Sequence, residues 1–272
     1  MIRTEELPAI EEIAVEIGGT PVLLRTNDPA FHELVHQRYG GFLGKGTSPT
    51  VTFDIQVARP EDALSHEQEL RVWDDQGLWR LMRGDFRAEW DPESGRGQIL
   101  QTMTPYAIDS FLRVLHTLIQ APEGGFLLHG ASAIRNGRAF VFSGVSGAGK
   151  TTISRLAPGD AVLLTDEISY VRRDGSGYRA CGTPFAGELA RPGENATAPI
   201  ERLYFLAKGP ENRIDPIDIA EALRLLLRNI LFFADDAELV KMVFRSANEF
   251  LDQVPPYRLT FYPDERVWDL IG

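Results

Sequence analysis

Hydrophobic positions along the chain follow two different spacings, and the texture changes near residue 104. In residues 28–39, Phe31, Leu34 and Val35 recur at helical spacing behind Asp28 as N-cap and Pro29 at the first helical position. That predicts one short helix. After a glycine-rich connection at 40–49 come strand-like runs at 51–57, 69–73, 78–83 and 86–90. Asp74, Asp75 and Gly77 punctuate two of them and residues 91–95 the next, the pattern of an antiparallel meander. From Thr104 and Pro105 a stronger helix opens, with Ile108, Phe111, Leu112, Leu115, Leu118 and Ile119 on one face, and stops before Pro122 and Gly124. Strands at 126–134 and 139–142 meet at the Asn136-Gly137 pair, a hairpin turn signal. Residues 151–157 suit a short helix and 161–164 a buried strand. Further on, Asp215 and Pro216 read as cap and first turn of a helix whose polar stripe is Glu221, Arg224 and Arg228. A second helix spans 239–251, and 257–262 forms a closing strand.

These elements predict a mixed α/β protein: a smaller N-terminal α+β layer over residues 1–103, then a larger domain over 104–272. At 272 residues the chain is long enough to bury a proper core. Its 28 Lys and Arg against 39 Asp and Glu leave a net charge of −11, which speaks against a nucleic-acid binder because phosphate neutralisation needs a basic face. The most apolar stretch, 220–234, carries Glu221, Arg224, Arg228 and Asn229 and falls short of the ~20 apolar residues of a membrane span. The first residues, MIRTEELPAIEE, lack a signal-peptide apolar core. The expectation is a cytoplasmic protein with neither nucleic-acid nor membrane partners. Cys181 is the only cysteine, so no internal disulfide or thiolate zinc site is available, and it reads as a small buried residue.

Residues 144–151 carry the clearest chemistry: Gly144, Val145, Ser146, Gly147, Ala148, Gly149, Lys150 and Thr151 match GxxxxGK[ST], with Thr152 next. Glycines let backbone N–H groups close around phosphate oxygens, Lys150 suits the β- and γ-phosphates, and the Thr151 hydroxyl suits Mg²⁺. The loop follows an apolar run, 139–142, and opens a helix-compatible segment, as a phosphate loop requires. Past the next strand stand Asp166 and Glu167. At a strand end beside such a loop, one acid could hold Mg²⁺ and the other accept the proton of an attacking hydroxyl. His129, in LHGAS, has no partner pattern on spacing alone, and neither have His32, His36, His66 and His116.

The segments LLHGASAI, FSGVSGAGKTT, LLTDEIS, YRACGTPFAGE, IERLYFLAKGPENRIDP and YRLTFY together resemble the HPr serine kinase/phosphorylase-like P-loop kinases, whose fold is related to phosphoenolpyruvate carboxykinase. They are especially similar to the subgroup found with ribosomally made peptide clusters such as those for lasso peptides. The resemblance covers roughly residues 125–262. It implies a P-loop kinase core like the HPr kinase C-terminal domain, His129 as an active-site histidine, Asp166 as general base and Glu167 as metal ligand. The last is a departure, since the family places Asp there. Glu188, in the GTP…GE segment, becomes a candidate metal or substrate contact. Arg191 and Arg213 become candidate phosphate contacts, because a guanidinium fork suits phosphate oxygens. The N-terminal half lacks the family's regulatory domain, so neither phosphorylase activity nor HPr as substrate carries over.

Two functions of different class follow. One is an ATP- and Mg²⁺-dependent phosphotransferase acting on a hydroxyl, serine foremost, of a peptide or protein, with the N-terminal layer recognising the acceptor. The other is a nucleotide-binding accessory or scaffold protein that transfers nothing. No NKxD-type guanine motif and no LSGGQ-like signature occurs, which disfavours a GTPase and a transport ATPase. Self-association is left open.

Overall fold

The computed structural model describes residues 9–44, 49–59, 69–175 and 177–271. His66, the middle of the 40–49 connection and the first eight residues lie outside the described residues. The protein is mixed α/β with two mixed sheets. The chain divides into two compact units, residues 1–112 with 233–236 and residues 113–232 with 237–272.

The first unit is built on a seven-stranded sheet. β1 (Glu11–Ile17) and β2 (Thr20–Thr26) form a hairpin through Gly18 and Gly19, both at positive φ as such a tight turn requires. α1 (Pro29–Tyr39) starts where Asp28 accepts the Phe31 N–H at 3.0 Å, so cap and proline act as the sequence predicts. β3 (Val51–Val57), β4 (Arg71–Asp75), β5 (Leu78–Arg83), β6 (Phe86–Asp91) and β7 (Arg96–Gln101) complete the order β1-β2-β3-β7-β6-β5-β4. β4 to β6 keep the expected antiparallel order, and β7, which was not foreseen, extends it. β3 is not part of it: it runs parallel to both β2 and β7. The sequence reading passed over β1, β2 and β7, although Ile13, Val15, Ile17, Val22 and Leu24 alternate inward and are buried. Phe111 of α2 (Pro105–Gln120) packs edge-on against Phe53, ring centroids 4.7 Å apart, and closes this core.

In the second unit, β8 (Phe126–Arg135) and β9 (Arg138–Ser143) are the expected hairpin, with Asn136 and Gly137 at φ 51° and 74°. α3 (Lys150–Arg155), β10 (Val162–Thr165), β11 (Ile168–Asp174), β12 (Gly177–Cys181) and β13 (Thr197–Lys208) follow. The chain ends with β14 (Arg213–Pro216), α4 (Ile219–Asn229), α5 (Ala237–Gln253) and β15 (Pro256–Phe261). β8 and β13 are long because each serves two sets of neighbours. Residues 126–129 of β8 pair with β11, whereas 130–135 pair with β9 and 132–134 with β10. β13 pairs with β12 at its start, then runs parallel to β9 and β15. Asp215 and Pro216, predicted as a helix cap and first turn, instead end β14 against β15. Asp218 is the cap, accepting the Ala220 and Glu221 N–H groups at 3.0 and 3.1 Å. The pairing with β15 keeps 215 and 216 extended, and only beyond it can the backbone turn. Cys181 is buried as expected, 2.9 Å from the Thr197 hydroxyl. Among the described residues no helix is long and apolar enough to cross a membrane.

Candidate functional site

Strand register assembles the site. In β8, His129 stands opposite Ile168 of β11 and the next residue, Gly130, opposite Ser143 of β9. One strand therefore brings Glu167, immediately before β11, and Gly144, immediately after β9, to either side of His129. Gly130 must be glycine, since a Cβ there would lie 2.9 Å from the Phe142 carbonyl oxygen. β9, β13 and β15 are parallel, so the 144–149 loop leaves from the carboxyl end of a parallel trio, where α/β sheets bind ligands.

The loop has the shape its glycines dictate. Gly147 and Gly149 have φ of 76° and 115°, a region open to glycine and costly to other residues. A side chain on Gly149 would also meet the Phe261 ring at 2.7 Å. Val145, Ser146 and Gly147 are exposed, and Ala148 is buried under the loop. Lys150 opens α3 and is only 7% exposed; its ammonium donates to the Gly144 carbonyl at 3.0 Å and the Val145 carbonyl at 3.4 Å. Burial pushes its pKa down, and the carboxylates of Glu167 and Glu188 oppose that push. Thr151 and Thr152, half-buried, follow in the first turn.

The turn from β10 to β11 is shaped by Thr165, whose hydroxyl accepts the N–H groups of Glu167 and Ile168, both at 3.2 Å. It turns two adjacent acids in different directions. Asp166 is 2% exposed, and its two oxygens accept the N–H groups of Gly187 and Leu189, each at 2.9 Å. Glu167 has a side chain 34% exposed, with Oε1 3.5 Å from Nε2 of His129. The His129 hydrogen bond, first, and the charges of His129, Lys150 and Arg113 hold the Glu167 carboxyl below the usual carboxylate range, against desolvation.

The structure thus brings Glu167 within electrostatic reach of His129 and Lys150, and Glu188 within reach of Lys150, with Asp166 buried next to Glu167 in the chain. Arg191 is exposed, with no hydrogen bond or ion pair among the described residues. Arg213 sits on edge strand β14, paired with Asp215 at 2.7 Å and Glu211 at 3.2 Å. Sequence reasoning missed Arg113, which lies over the Phe185 ring at 5.0 Å and acts on Glu167. In the sequence it reads as an ordinary charge on the side of α2 opposite its apolar face. It missed as well that Gly187 is needed: a Cβ there would lie 2.8 Å from Asp166 Oδ2 and 2.9 Å from Glu167 Oε2.

Among the described residues, no three His, Cys, Asp or Glu side chains form a metal-holding group. Magnesium does not demand one, since it is usually held by one or two carboxylates together with substrate phosphates and water. A hydroxyl at Thr151 and carboxylates at Glu167 and Glu188 are hard oxygen donors of that kind. A cavity of about 550 Å³ lies elsewhere, on the seven-stranded sheet, lined by Trp73, Met82, Arg87 and Leu100 among others. None of the predicted site residues borders it.

Fold and site together define a mixed α/β protein with a glycine-rich loop, a buried lysine and an acidic cluster at the carboxyl end of a parallel strand trio. Residues 101–272 match the family described as SynChlorMet cassette protein ScmC, and the chain belongs to that family. This description speaks of a cassette and says nothing of lasso peptides. No curated protein matches the chain. Among solved structures, it is similar to the Hpr(Ser) kinase/phosphatase from Coxiella burnetii, with 10% identity and a TM-score of 0.31 over 53% of this chain and 85% of that one.

Proposed function

We propose that the protein binds a nucleoside triphosphate, ATP foremost, at residues 144–152 and transfers its γ-phosphoryl group to a hydroxyl, serine foremost, of a peptide or protein. The observation that carries this reading is Lys150: a buried ammonium folded back onto its own loop's carbonyls, at a helix start, beside two carboxylates. A cation held there over a glycine loop suits phosphate oxygens. Backbone N–H groups of the loop and the Lys150 ammonium would bind and orient the β- and γ-phosphates.

In the reaction, a bond forms between the acceptor oxygen and the γ-phosphorus while the bond from that phosphorus to the β,γ-bridging oxygen breaks. ADP leaves with the bridging oxygen. The acceptor proton passes to the Glu167 carboxylate, which is solvent-accessible and oriented by His129. Asp166, the base in the family resemblance, is buried and accepts one backbone N–H on each oxygen. A magnesium ion bound by Thr151 with Glu188 would neutralise charge on the phosphates. Acceptor recognition is assigned to the N-terminal region, whose sheet offers the cavity at Trp73 and Met82.

The test is incubation with labelled ATP, Mg²⁺ and peptides encoded beside the gene, followed by mass spectrometry of the acceptors. Acceptor-dependent ADP release and a gain of one phosphate, both lost in Lys150→Ala, are expected. Tight nucleotide binding without transfer to any acceptor would overturn the reading in favour of a nucleotide-binding scaffold.

A further inference from the structure

We infer that Asp166 is a positioning residue, whose buried carboxylate clamps the 187–189 backbone and thereby holds Glu188 at the phosphate-binding lysine. The clamp itself is independent of what the site binds; its effect on nucleotide affinity rests on the function proposed above.

Residues 182–196 cross the end of β10 with no secondary structure of their own. Both flanks are tied by backbone hydrogen bonds: Thr183 N–H to the Leu164 carbonyl at 3.1 Å, and Glu194 N–H to the Leu163 carbonyl at 2.9 Å. The middle lacks such ties to a strand. There the Asp166 oxygens receive the amides of Gly187 and Leu189, the residues on either side of Glu188. Charge-assisted bonds of this kind are roughly twice as strong as neutral ones, and burial of Asp166 leaves them without competition from water. Glu188 itself is exposed and its charge is felt by Lys150. Gly187 completes the device, because a Cβ there would press on both acids.

A base must reach an acceptor; a clamp must stay buried with both oxygens held. Asp166 is buried, with one backbone amide on each oxygen, and so has the geometry of a clamp. The two roles separate in a double-mutant cycle on the whole protein, reading MgATP dissociation constant and turnover in Asp166→Asn, Glu188→Gln and the double variant. Acting through Glu188, Asp166→Asn should weaken MgATP about as much as Glu188→Gln, roughly 5- to 10-fold, and the double variant should be no worse than Glu188→Gln alone. Losses that multiply, or a fall in turnover at unchanged affinity that persists in the Glu188→Gln background, would overturn the inference.

A nucleotide-free measurement decides the clamp even should the protein bind no ATP, an outcome that would sink only the proposed function. Amide exchange at 187 and 189 should quicken at least about tenfold in Asp166→Asn, with Val141 and Leu203 in the core unchanged; unchanged exchange at 187 and 189 would overturn it. If Asp166→Asn fails to fold, Gly187→Ala displaces the clamp from the other side and should reproduce both effects. Normal exchange and affinity in a folded Gly187→Ala protein would count against it equally.

Discussion

Two loops meet at the candidate site, and they are made in opposite ways. The 144–149 loop organises itself: its own glycines supply the positive φ values, and its own lysine caps two of its carbonyls. The 182–196 segment borrows its shape from elsewhere, from the β10 backbone and the Asp166 carboxylate. A self-organised loop can be read from eight consecutive letters. A tethered one cannot, since the residues that shape it lie some twenty positions upstream.

The contrast is broken most severely at a close approach. A Cβ on Gly193 would lie 1.7 Å from the Leu164 carbonyl oxygen, so Gly193→Ala should cost about 3 kcal/mol or more in thermal or denaturant unfolding, or abolish folding. A near-neutral result would mean that the tethered segment is not pressed against β10 at all. Next comes Lys150→Ala, which should weaken MgATP by ~30- to 100-fold, about 2–3 kcal/mol by calorimetry, while leaving the fold intact. Equal binding by the variant would remove the glycine loop from nucleotide recognition.

Acid acts on the scaffold that carries both loops, because β11, which starts right after Glu167, rests on a buried histidine. His116 lies fully buried 3.3 Å from the Tyr170 hydroxyl, and burial lowers its pKa from 6.5 to about 3. Between those values the unfolded chain binds a proton that the folded one refuses, so stability rises with pH across the window and is lost as pH falls from 6.5 toward 3. Taking the protein from pH 7 to pH 5 should cost about 2 kcal/mol through this group, a loss that His116→Leu should abolish in parallel denaturation curves. The same loss in the variant would exonerate the histidine. Smallest is Gly147→Ala, where φ is 76° but the space is open: about 1 kcal/mol of stability, through backbone strain alone. A loss as large as that of Gly193→Ala would erase the distinction between the two loops.

What could be read in the sequence follows the same division. The α1 cap at Asp28, the Asn136-Gly137 turn and the antiparallel run from β4 to β6 are local patterns, and all three stand in the structure where the letters put them. The adjacency of Asp166 and Glu167 was legible as well, but not their separation into one buried and one accessible carboxylate, which Thr165 and the distant 187 and 189 amides bring about. His129 had no signal of its own because its neighbours arrive through strand register. The Asp215-Pro216 pair misled for a related reason: a good cap sequence yields to a strand partner that the local pattern does not show.

The change of partners within β8, between His129 and Gly130, makes the site a gauge of its own construction. Alternation along a strand means that a slip by one residue would turn the imidazole to the opposite face and set a side chain where only glycine fits. Such a slip would spoil the pairing with β9 and β11 together. Misregistered chains would therefore be silent rather than miswired, and only a correctly threaded molecule would bring the lysine, the histidine and Glu167 together.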